Sequence, residues 1–322
     1  MSFTLLGIGS YLPASSFSND DMARIVDTNH EWIHSRSGIA KRRYAIDENT
    51  HDLAILAARN ALADAEFDPL NIDAILVATF TPSTLIPSVA CQVADALGCR
   101  EDILAFDLNG ACSGFIFGLE TAQALLLSGK YKHILVIGAE VISKVMDFSD
   151  RRSCILFGDG AGAVLLSSEG DGKVIWSKAY RKPDVKQSLY APGIALNNPL
   201  TKNIQVPQVI SMDGTVVFQF AIEAIQQMLR EFFAGSGLTL DDINHIVLHQ
   251  ANQRITNHIA KTSKQPIDKF ISVIEEYGNT SAASIPIALD TLKKQHKIHS
   301  GDKILMIGFG GGLTYGAFAL TV

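Results

Sequence analysis

Four short stretches of the chain carry groups suited to nucleophilic and oxyanion chemistry. "NGACSGF" sets Cys112 between Gly110 and Gly114 at a strand-to-helix turn, ahead of a helical pattern of Phe115, Ile116, Leu119, Ala122, Leu125 and Leu126 that fits burial on more than one face. A thiol at a helix N-terminus meets unpaired N–H groups and the positive end of the dipole, and both favour the nucleophilic thiolate. The small neighbours Ala111 and Ser113 allow close approach of backbone and substrate. "HIVLH" ends on His249, at the carboxyl end of a strand, where α/β folds gather their sites, and its imidazole suits hydrogen-bond donation or proton exchange near neutral pH. Asn279, in "YGNTSAASIP", is a donor that cannot ionise; with His249 it would stabilise a developing enolate or oxyanion at any pH. "GFGGGLTYG" (308–316) can turn backbone N–H groups toward a reacting carbonyl, and with no long helix after it the loop is not a dinucleotide fingerprint.

Each stretch has an ordinary alternative. A lone cysteine commonly fills space in a core, a strand-end histidine can be satisfied by backbone, Asn-Thr is a good turn or helix cap, and a glycine run can be a tight turn. The elements that would position these groups bring them together. Short β-rich runs alternate with helical patterns, the signature of an α/β protein on buried sheets. "LNIDAILVAT" (70–79) resembles "LDDINHIVLH" (240–249), each after an amphipathic helix (roughly 52–65 and 217–234), and "KHILVIGAEV" (132–141) resembles "DKILMIGFGG" (302–311). Ile75 and Ile246 are 171 positions apart (246 − 75), Ile134 and Ile304 are 170 apart (304 − 134). The shared offset divides the chain into two similar halves, 1–170 and 171–322, related by a pseudo-twofold; a chance match of apolar strands is the alternative. The same offset carries Cys112 to position 282, inside "YGNTSAASIPIALDTL" (277–292). Equivalent turns thus meet near the pseudo-dyad, one with Cys112 and the other with Asn279. The stretch 178–210, rich in Pro, Asn and Lys, reads as a surface excursion.

With 322 residues, 47% of them apolar, the chain can bury a large core, and its net charge of −6 argues against general nucleic-acid binding. The start "MSFTLLGIGSYLP" lacks the basic region of a signal peptide, and no apolar run nears the length of a membrane span. Cys91, Cys99, Cys112 and Cys154 show neither metal-site spacing nor a disulfide framework, so a cytoplasmic protein with reduced thiols is expected.

In order and spacing, "GSYLP", "EWI" with "R-x-GI" (31–39), "ACSGF", "FGDGAGAVLL" (157–166), "HQAN", "GNTSAASIP" and "GFGGG" resemble β-ketoacyl-acyl-carrier-protein synthase III over essentially the whole chain. These are the initiating condensing enzymes of bacterial fatty-acid synthesis, within the thiolase-like superfamily. The resemblance implies a thiolase-like α/β fold: two pseudo-symmetric halves, each with a mixed five-stranded sheet, layered α-β-α-β-α. It implies Cys112 as the acylated nucleophile, His249 and Asn279 for decarboxylation and condensation, and an oxyanion hole from the backbone N–H groups of Cys112 and Gly311. Phe309 matches the aromatic residue that shields the cysteine, and Ile86, Phe157 and Phe309 fall at acyl-pocket positions. Trp32 and Arg151 match residues that sandwich the adenine of coenzyme A, Arg36 a phosphate-binding position, and Thr28, Gly214 and Asn252 further contacts. Arg254 matches a carrier-protein contact.

The implied reaction takes an acyl-CoA primer and malonyl-acyl-carrier-protein to β-ketoacyl-carrier-protein, CoA and carbon dioxide. It needs no metal or redox cofactor, since acyl-CoA is a substrate, and members pair as homodimers across the first-half sheet, which puts "TLIPSVACQ" near the interface. No nucleic-acid or membrane partner is implied. Departures leave the primer open: Arg152 replaces a Gly after the stacking Arg, Gln219 a carrier-contacting Lys, Ile86 a Phe at the acyl pocket, and Leu313 and Tyr315 a Phe and a Trp. A condensing enzyme or acyltransferase of polyketide or secondary metabolism is the main alternative. A thioesterase or acyltransferase using Cys112 and His249, or a non-catalytic acyl-binding subunit, are the others.

Overall fold

The computed structural model describes residues 2–201 and 208–322, so residues 202–207 of the 178–210 stretch lie outside the described residues. Nine strands form two mixed sheets. The first holds β1 (Thr4–Tyr11), β2 (Ala74–Ala78), β3 (Leu104–Leu108), β4 (His133–Glu140) and β5 (Gly160–Ser167) in the order β1-β5-β4-β2-β3. The second holds β6 (Lys173–Arg181), β7 (His245–Leu248), β8 (Lys303–Gly310) and β9 (Thr314–Thr321) in the order β6-β9-β8-β7. Order and sense repeat: β1/β5 and β6/β9 are antiparallel, as are β5/β4 and β9/β8, while β4/β2 and β8/β7 are parallel. Ala74 pairs with Ile134 and His245 with Ile304, so the 171- and 170-residue offsets found in the sequence are registers of equivalent strands. The second sheet departs from the expected five strands. Where β3 runs in the first, the second has a single parallel bridge, Ile246 to Phe270, because the chain enters that position from Pro266 through a 3-10 turn at Ile267–Lys269.

Alternation along the central strands builds the layers, since successive side chains face opposite sides of a sheet. Ile134 and Val136 of β4 and Ile304 and Met306 of β8 share the middle core with Phe115, Ile116, Leu119, Ile285, Ala288 and Leu289. These belong to two helices held between the sheets, α4 (Gly114–Leu127) and α7 (Ser284–Lys294). Leu135 and Ile137 point the other way, toward α2 (Thr50–Asp64) and α3 (Val89–Leu97). Leu305 and Ile307 likewise face α5 (Gly214–Ser236) and α6 (Gln253–Thr262). The result is the α-β-α-β-α stack. Its outer helices carry local start signals: Asn49 caps α2 in a capping box with Asp52, and Asp213 caps α5 through the Thr215 and Val216 amides. No helix among the described residues is long and apolar enough to cross a membrane.

Twin turns feed the two inner helices. Asn109 Oδ1 accepts from the Ala111 amide at 3.1 Å, and Asn279 Oδ1 from the Ser281 amide at 2.9 Å. Ala111 (φ +47°) and Ser281 (φ +50°) are both left-handed, and 3-10 turns at Ala111–Ser113 and Ser281–Ala283 lead into α4 and α7. The counterpart of Asn279 is therefore Asn109 (279 − 109 = 170), while Cys112 corresponds to Ala282.

Each turn packs on the other half's central strand at a glycine. A Cβ on Gly138 of β4 would stand 2.3 Å from the Ala282 carbonyl oxygen, and one on Gly308 of β8 would stand 2.9 Å from Ile116 Cγ1 and 3.3 Å from Ser113 Cα. Beside Gly138, the fully buried Glu140 ends β4 and ties this seam together. Its carboxylate accepts from the hydroxyls of Thr79 (3.1 Å), Thr81 (2.5 Å) and Ser281 (3.3 Å) and from the amides of Phe80 and Thr81.

Two predictions follow from the seam. Gly138→Ala forces backbone apart and should cost about 3 kcal/mol or more in denaturant unfolding; a loss under about 1 kcal/mol would contradict the packing. Burial also pushes the Glu140 carboxyl from its ordinary 4.5 up to about 7. A carboxyl raised in the folded state stabilises most while protonated, so its contribution is present below about pH 4.5 and lost as pH rises through about 7. Glu140→Gln cannot ionise, so its unfolding free energy relative to the native chain should climb across that window, by up to about 3 kcal/mol. A difference that does not vary with pH would refute this account.

Candidate active site

The Cys112 turn is bolted down from the second half. Ser113 Oγ donates to the Thr314 carbonyl at 2.9 Å, and Thr314 Oγ1 donates to the Gly110 carbonyl at 3.1 Å. Gly310, ending β8, lies over the turn; a Cβ there would come within 2.7 Å of Cys112 Cβ and 2.8 Å of Cys112 N. The thiol is buried, and burial pushes it up to about 12, against a hydrogen bond from Ser281 that lowers it and with the nearby Glu140 charge adding to the rise. The expected helix-end thiolate is thus not the resting form. Cys112 precedes the first residue of α4 by two positions, and desolvation outweighs what the helix end offers.

His249 follows β7, its amide bonded to the Ile307 carbonyl at 2.8 Å. Its ring is buried, packs edge-on against Phe309 with centroids 5.1 Å apart, and places Nδ1 2.7 Å from Ser284 Oγ. Burial pushes the imidazole down to about 3, so it is neutral at physiological pH. Asn279 is fixed through its backbone: its amide donates to the Leu156 carbonyl at 2.8 Å and its carbonyl accepts from Gly158 at 3.0 Å. With Oδ1 held by Ser281, the NH₂ end of the side chain is the end that can serve a ligand.

Cys112, His249, Asn279, Phe157 and Phe309 line one cavity of about 160 Å³, together with Gly214, Asn252 and Arg152. A second cavity of about 340 Å³ opens on the other side of Cys112, lined by Phe80, Asn109, Gly110, Leu189, Ala191, Ile210 and Gly311. Cys112, Phe157 and Leu189 belong to both. The thiol stands where two chambers meet.

Toward the mouth, Asn252 caps α6 and donates from Nδ2 to the Arg36 carbonyl at 3.0 Å, which joins it to the N-terminal helix α1 (His30–Ser37). The Trp32 ring on that helix has the Arg36 guanidinium 4.6 Å and the Arg151 guanidinium 5.2 Å from its centroid. A ring sandwiched between Trp32 and Arg151 needs about 7 Å, so the expected slot is closed by Arg151 itself, which is held by Asp27 through Nη1 (3.0 Å to the carbonyl, 3.3 Å to Oδ2). Thr28 Oγ1 is buried without a hydrogen-bond partner. Arg254 stacks over Phe218 at 5.7 Å, Gln219 beside it is exposed, and Arg152 is paired with Asp150 at 2.9 Å.

Ile86 stands apart from the other acyl-pocket positions. It is 89% exposed and lines neither cavity, because its loop runs outward between Thr81 and α3. Leu313 and Tyr315 are buried in the outer core of the second half, with Tyr315 Oη donating to Gln227 at 3.0 Å. The reading of 178–210 as a surface excursion holds for most of its described residues, which are exposed, and is corrected at three points: residues 178–181 finish β6, Leu189 and Ala191 turn inward, and with Ile210 they wall the cavity of about 340 Å³. Sequence reasoning missed these three, Phe80, Ser284 and Glu140. Only Glu140 left a signal, a carboxylate closing the otherwise buried run "HILVIGAE".

Comparison with known proteins agrees with this geometry. Residues 106–182 match the family model described as 3-oxoacyl-[acyl-carrier-protein] synthase III, and residues 233–322 match the model of its C-terminal part. A Clostridium acetobutylicum protein named beta-ketoacyl-[acyl-carrier-protein] synthase III is 43% identical over 321 residues, covering 99% of this chain and 98% of the relative. The crystal structure of 3-oxoacyl-[acyl-carrier-protein] synthase III from Aquifex aeolicus superposes with a TM-score of 0.92 at 39% identity, covering 100% of both chains. A priming β-ketosynthase of the R1128 polyketide pathway superposes at 0.91 with 34% identity, covering 100% of this chain and 96% of its own. The fold, the paired turns around one buried thiol and these full-length likenesses agree: the chain belongs to the β-ketoacyl-[acyl-carrier-protein] synthase III family, the condensing enzymes that initiate fatty-acid synthesis.

Proposed function

We propose that this chain condenses an acyl-CoA primer with malonyl-acyl-carrier-protein using Cys112, His249 and Asn279, and the observation that carries this assignment is their convergence on one buried cavity. Cys112 attacks the acyl-CoA carbonyl, the Cys112 and Gly311 backbone N–H groups hold the tetrahedral oxyanion, and the thiol proton leaves with CoA. Because the thiol rests protonated, proton and leaving group depart together. Malonyl-carrier-protein then loses carbon dioxide while His249 and Asn279 donate to its thioester carbonyl. The enolate carbon attacks the acyl-cysteine, a carbon–carbon bond forms, and the sulfur of Cys112 is released to take up a proton. Every step balances with these side chains and substrates alone, so no metal or redox cofactor is assigned.

Phe157 and Phe309 shape the acyl chamber with Leu189, and Ile86 has no place in that chamber within one chain. Trp32, Arg36, Arg151, Thr28, Gly214 and Asn252 are assigned to CoA, with Arg151 swinging off Asp27 to admit the adenine; the orphaned Thr28 hydroxyl favours a ligand there. Arg254 is assigned to the carrier protein. A second copy of the chain is placed against β3, an edge strand whose Leu104, Ala105, Phe106 and Leu108 are all only half-buried. All four cysteines are free thiols, in keeping with a cytoplasmic setting.

Incubation with acyl-CoA should add one acyl mass to the native chain and none to Cys112→Ala; stoichiometric acylation of that variant would sink the assignment. His249→Ala should acylate normally and lose malonyl decarboxylation by about a hundredfold or more. Light scattering should give twice the chain mass, and a single-chain mass at micromolar concentration would remove the dimer.

A further inference from the structure

A neutral imidazole carries one hydrogen on two nitrogens, and only the tautomer with that hydrogen on Nε2 can donate away from a partner at Nδ1. In His249 the partner at Nδ1 is Ser284 Oγ, 2.7 Å away, with both residues buried. Distance alone permits either direction of this bond; the rest of the Ser284 environment decides it. The Gln250 backbone N–H already points at Ser284 Oγ, at 3.4 Å, so that oxygen is an acceptor and its own hydrogen still needs a home. Elsewhere in this chain serines at the end of a helix give their hydroxyl to the carbonyl four residues back: Ser37 to Ile33, Ser236 to Phe232 and the C-cap Ser263 to Ile259. Ser284 makes no such bond; the carbonyl four back, of Thr280, accepts from Ala283 instead. Were His249 to donate from Nδ1, the Ser284 hydroxyl hydrogen would be buried without an acceptor, an arrangement interiors avoid.

The pseudo-symmetry supplies an independent control. His249 corresponds to Ala78 (249 − 78 = 171) and Ser284 to Gly114 (284 − 114 = 170). Ala78 and Gly114 also touch, a Cβ on Gly114 lying 3.1 Å from Ala78 Cβ. The same strand-to-helix contact is therefore made in the first half with no polar group, so the scaffold does not require the Ser284 hydroxyl.

We infer that Ser284 is a positioning residue: its hydroxyl donates to Nδ1 of His249 and locks the imidazole in the Nε2–H tautomer, so that the donor for the enolate oxygen is set before substrate arrives. The inference rests on the donor role proposed above for His249, and its test separates the two. In the full-length chain labelled with ¹⁵N-histidine, with His249 assigned by comparison with His249→Ala, the native ring should show a single Nε2–H tautomer near neutral pH. Ser284→Ala should show a mixed population and Ser284→Thr should restore the native pattern. With malonyl-carrier-protein, Ser284→Ala should lower the decarboxylation kcat about tenfold, leave KM and Cys112 acylation within about twofold, and regain activity as threonine. Ser284→Gly, the residue present in the first half, serves if the alanine variant misfolds. An unchanged Nε2–H tautomer in Ser284→Ala or Ser284→Gly overturns the inference whatever His249 does. A mixed tautomer with decarboxylation intact in both Ser284→Ala and His249→Ala upholds the Ser284 lock and removes the donor role of His249.

Discussion

The reciprocal packing of each half's turn onto the other half's central strand is the constraint on which the rest of the structure depends. Gly138 accepts the turn at Ala282 and Ala283, and Gly308 accepts the turn at Ser113 with Ile116 behind it. Neither contact tolerates a Cβ without displacing backbone or core, so the two sheets are fixed relative to each other at the place where the turns emerge. This crossing delivers the Cys112 turn, which belongs to the first half by chain order, to the end of β8, next to Phe309 and His249. It delivers the Asn279 turn to the first half, where Ser281 reaches Glu140. Without the exchange, Cys112 and His249 would sit on separate sheets.

A second consequence is dryness. The same packing that assembles the site buries its titratable groups, and each is pushed toward its neutral form: the thiol and the Glu140 carboxyl up, the imidazole down. Charge that appears during reaction must then be met by fixed N–H groups, which act most strongly where water is excluded. A donor that is neutral throughout is more useful here than one that titrates. A neutral imidazole and an amide lining one dry cavity meet that requirement.

Much of this was legible in the sequence, and the parts that were not share a cause. The offset of 170 to 171 residues is a local, periodic signal and it matched strand registers; Cys112, His249, Asn279, Phe157 and Phe309 could be placed together because each sits at a fixed point of a repeated strand-turn-helix unit. The thiolate expectation failed because helix-end stabilisation is local while desolvation depends on everything that packs above, here Gly310 and its strand. Leu189, Ala191 and Ile210 were hidden because an irregular segment has no periodicity to reveal which side chains turn inward. Ile86 shows the converse: a motif position fixes where a residue falls in the chain, while the way its loop points, here outward from its own chain, is set by the fold. The fifth strand of the second half shrinks to one bridge at Phe270, where a 3-10 turn at Ile267–Lys269 precedes the position.

Comparing the halves position by position separates scaffold from chemistry. Asn109 and Asn279 are the same residue in the same turn, each holding the amide two residues on through Oδ1, so the carbonyl end of Asn279 is architectural and only its NH₂ end is left for function. Among the positions where the copies diverge are Cys112 against Ala282, His249 against Ala78, and Ser284 against Gly114. In each pair one member is small and apolar and the other polar or reactive, while the backbone around both is alike. The small members show what the fold needs at those points, which is only room. Cys112 stands where the second half has Ala282, His249 and Ser284 stand where the first half has Ala78 and Gly114, and the crossed turns bring Cys112, His249 and Asn279 to one cavity. A cavity with a thiol from one half and a neutral imidazole and an amide from the other is what results when two copies of one architecture depart from symmetry at different positions.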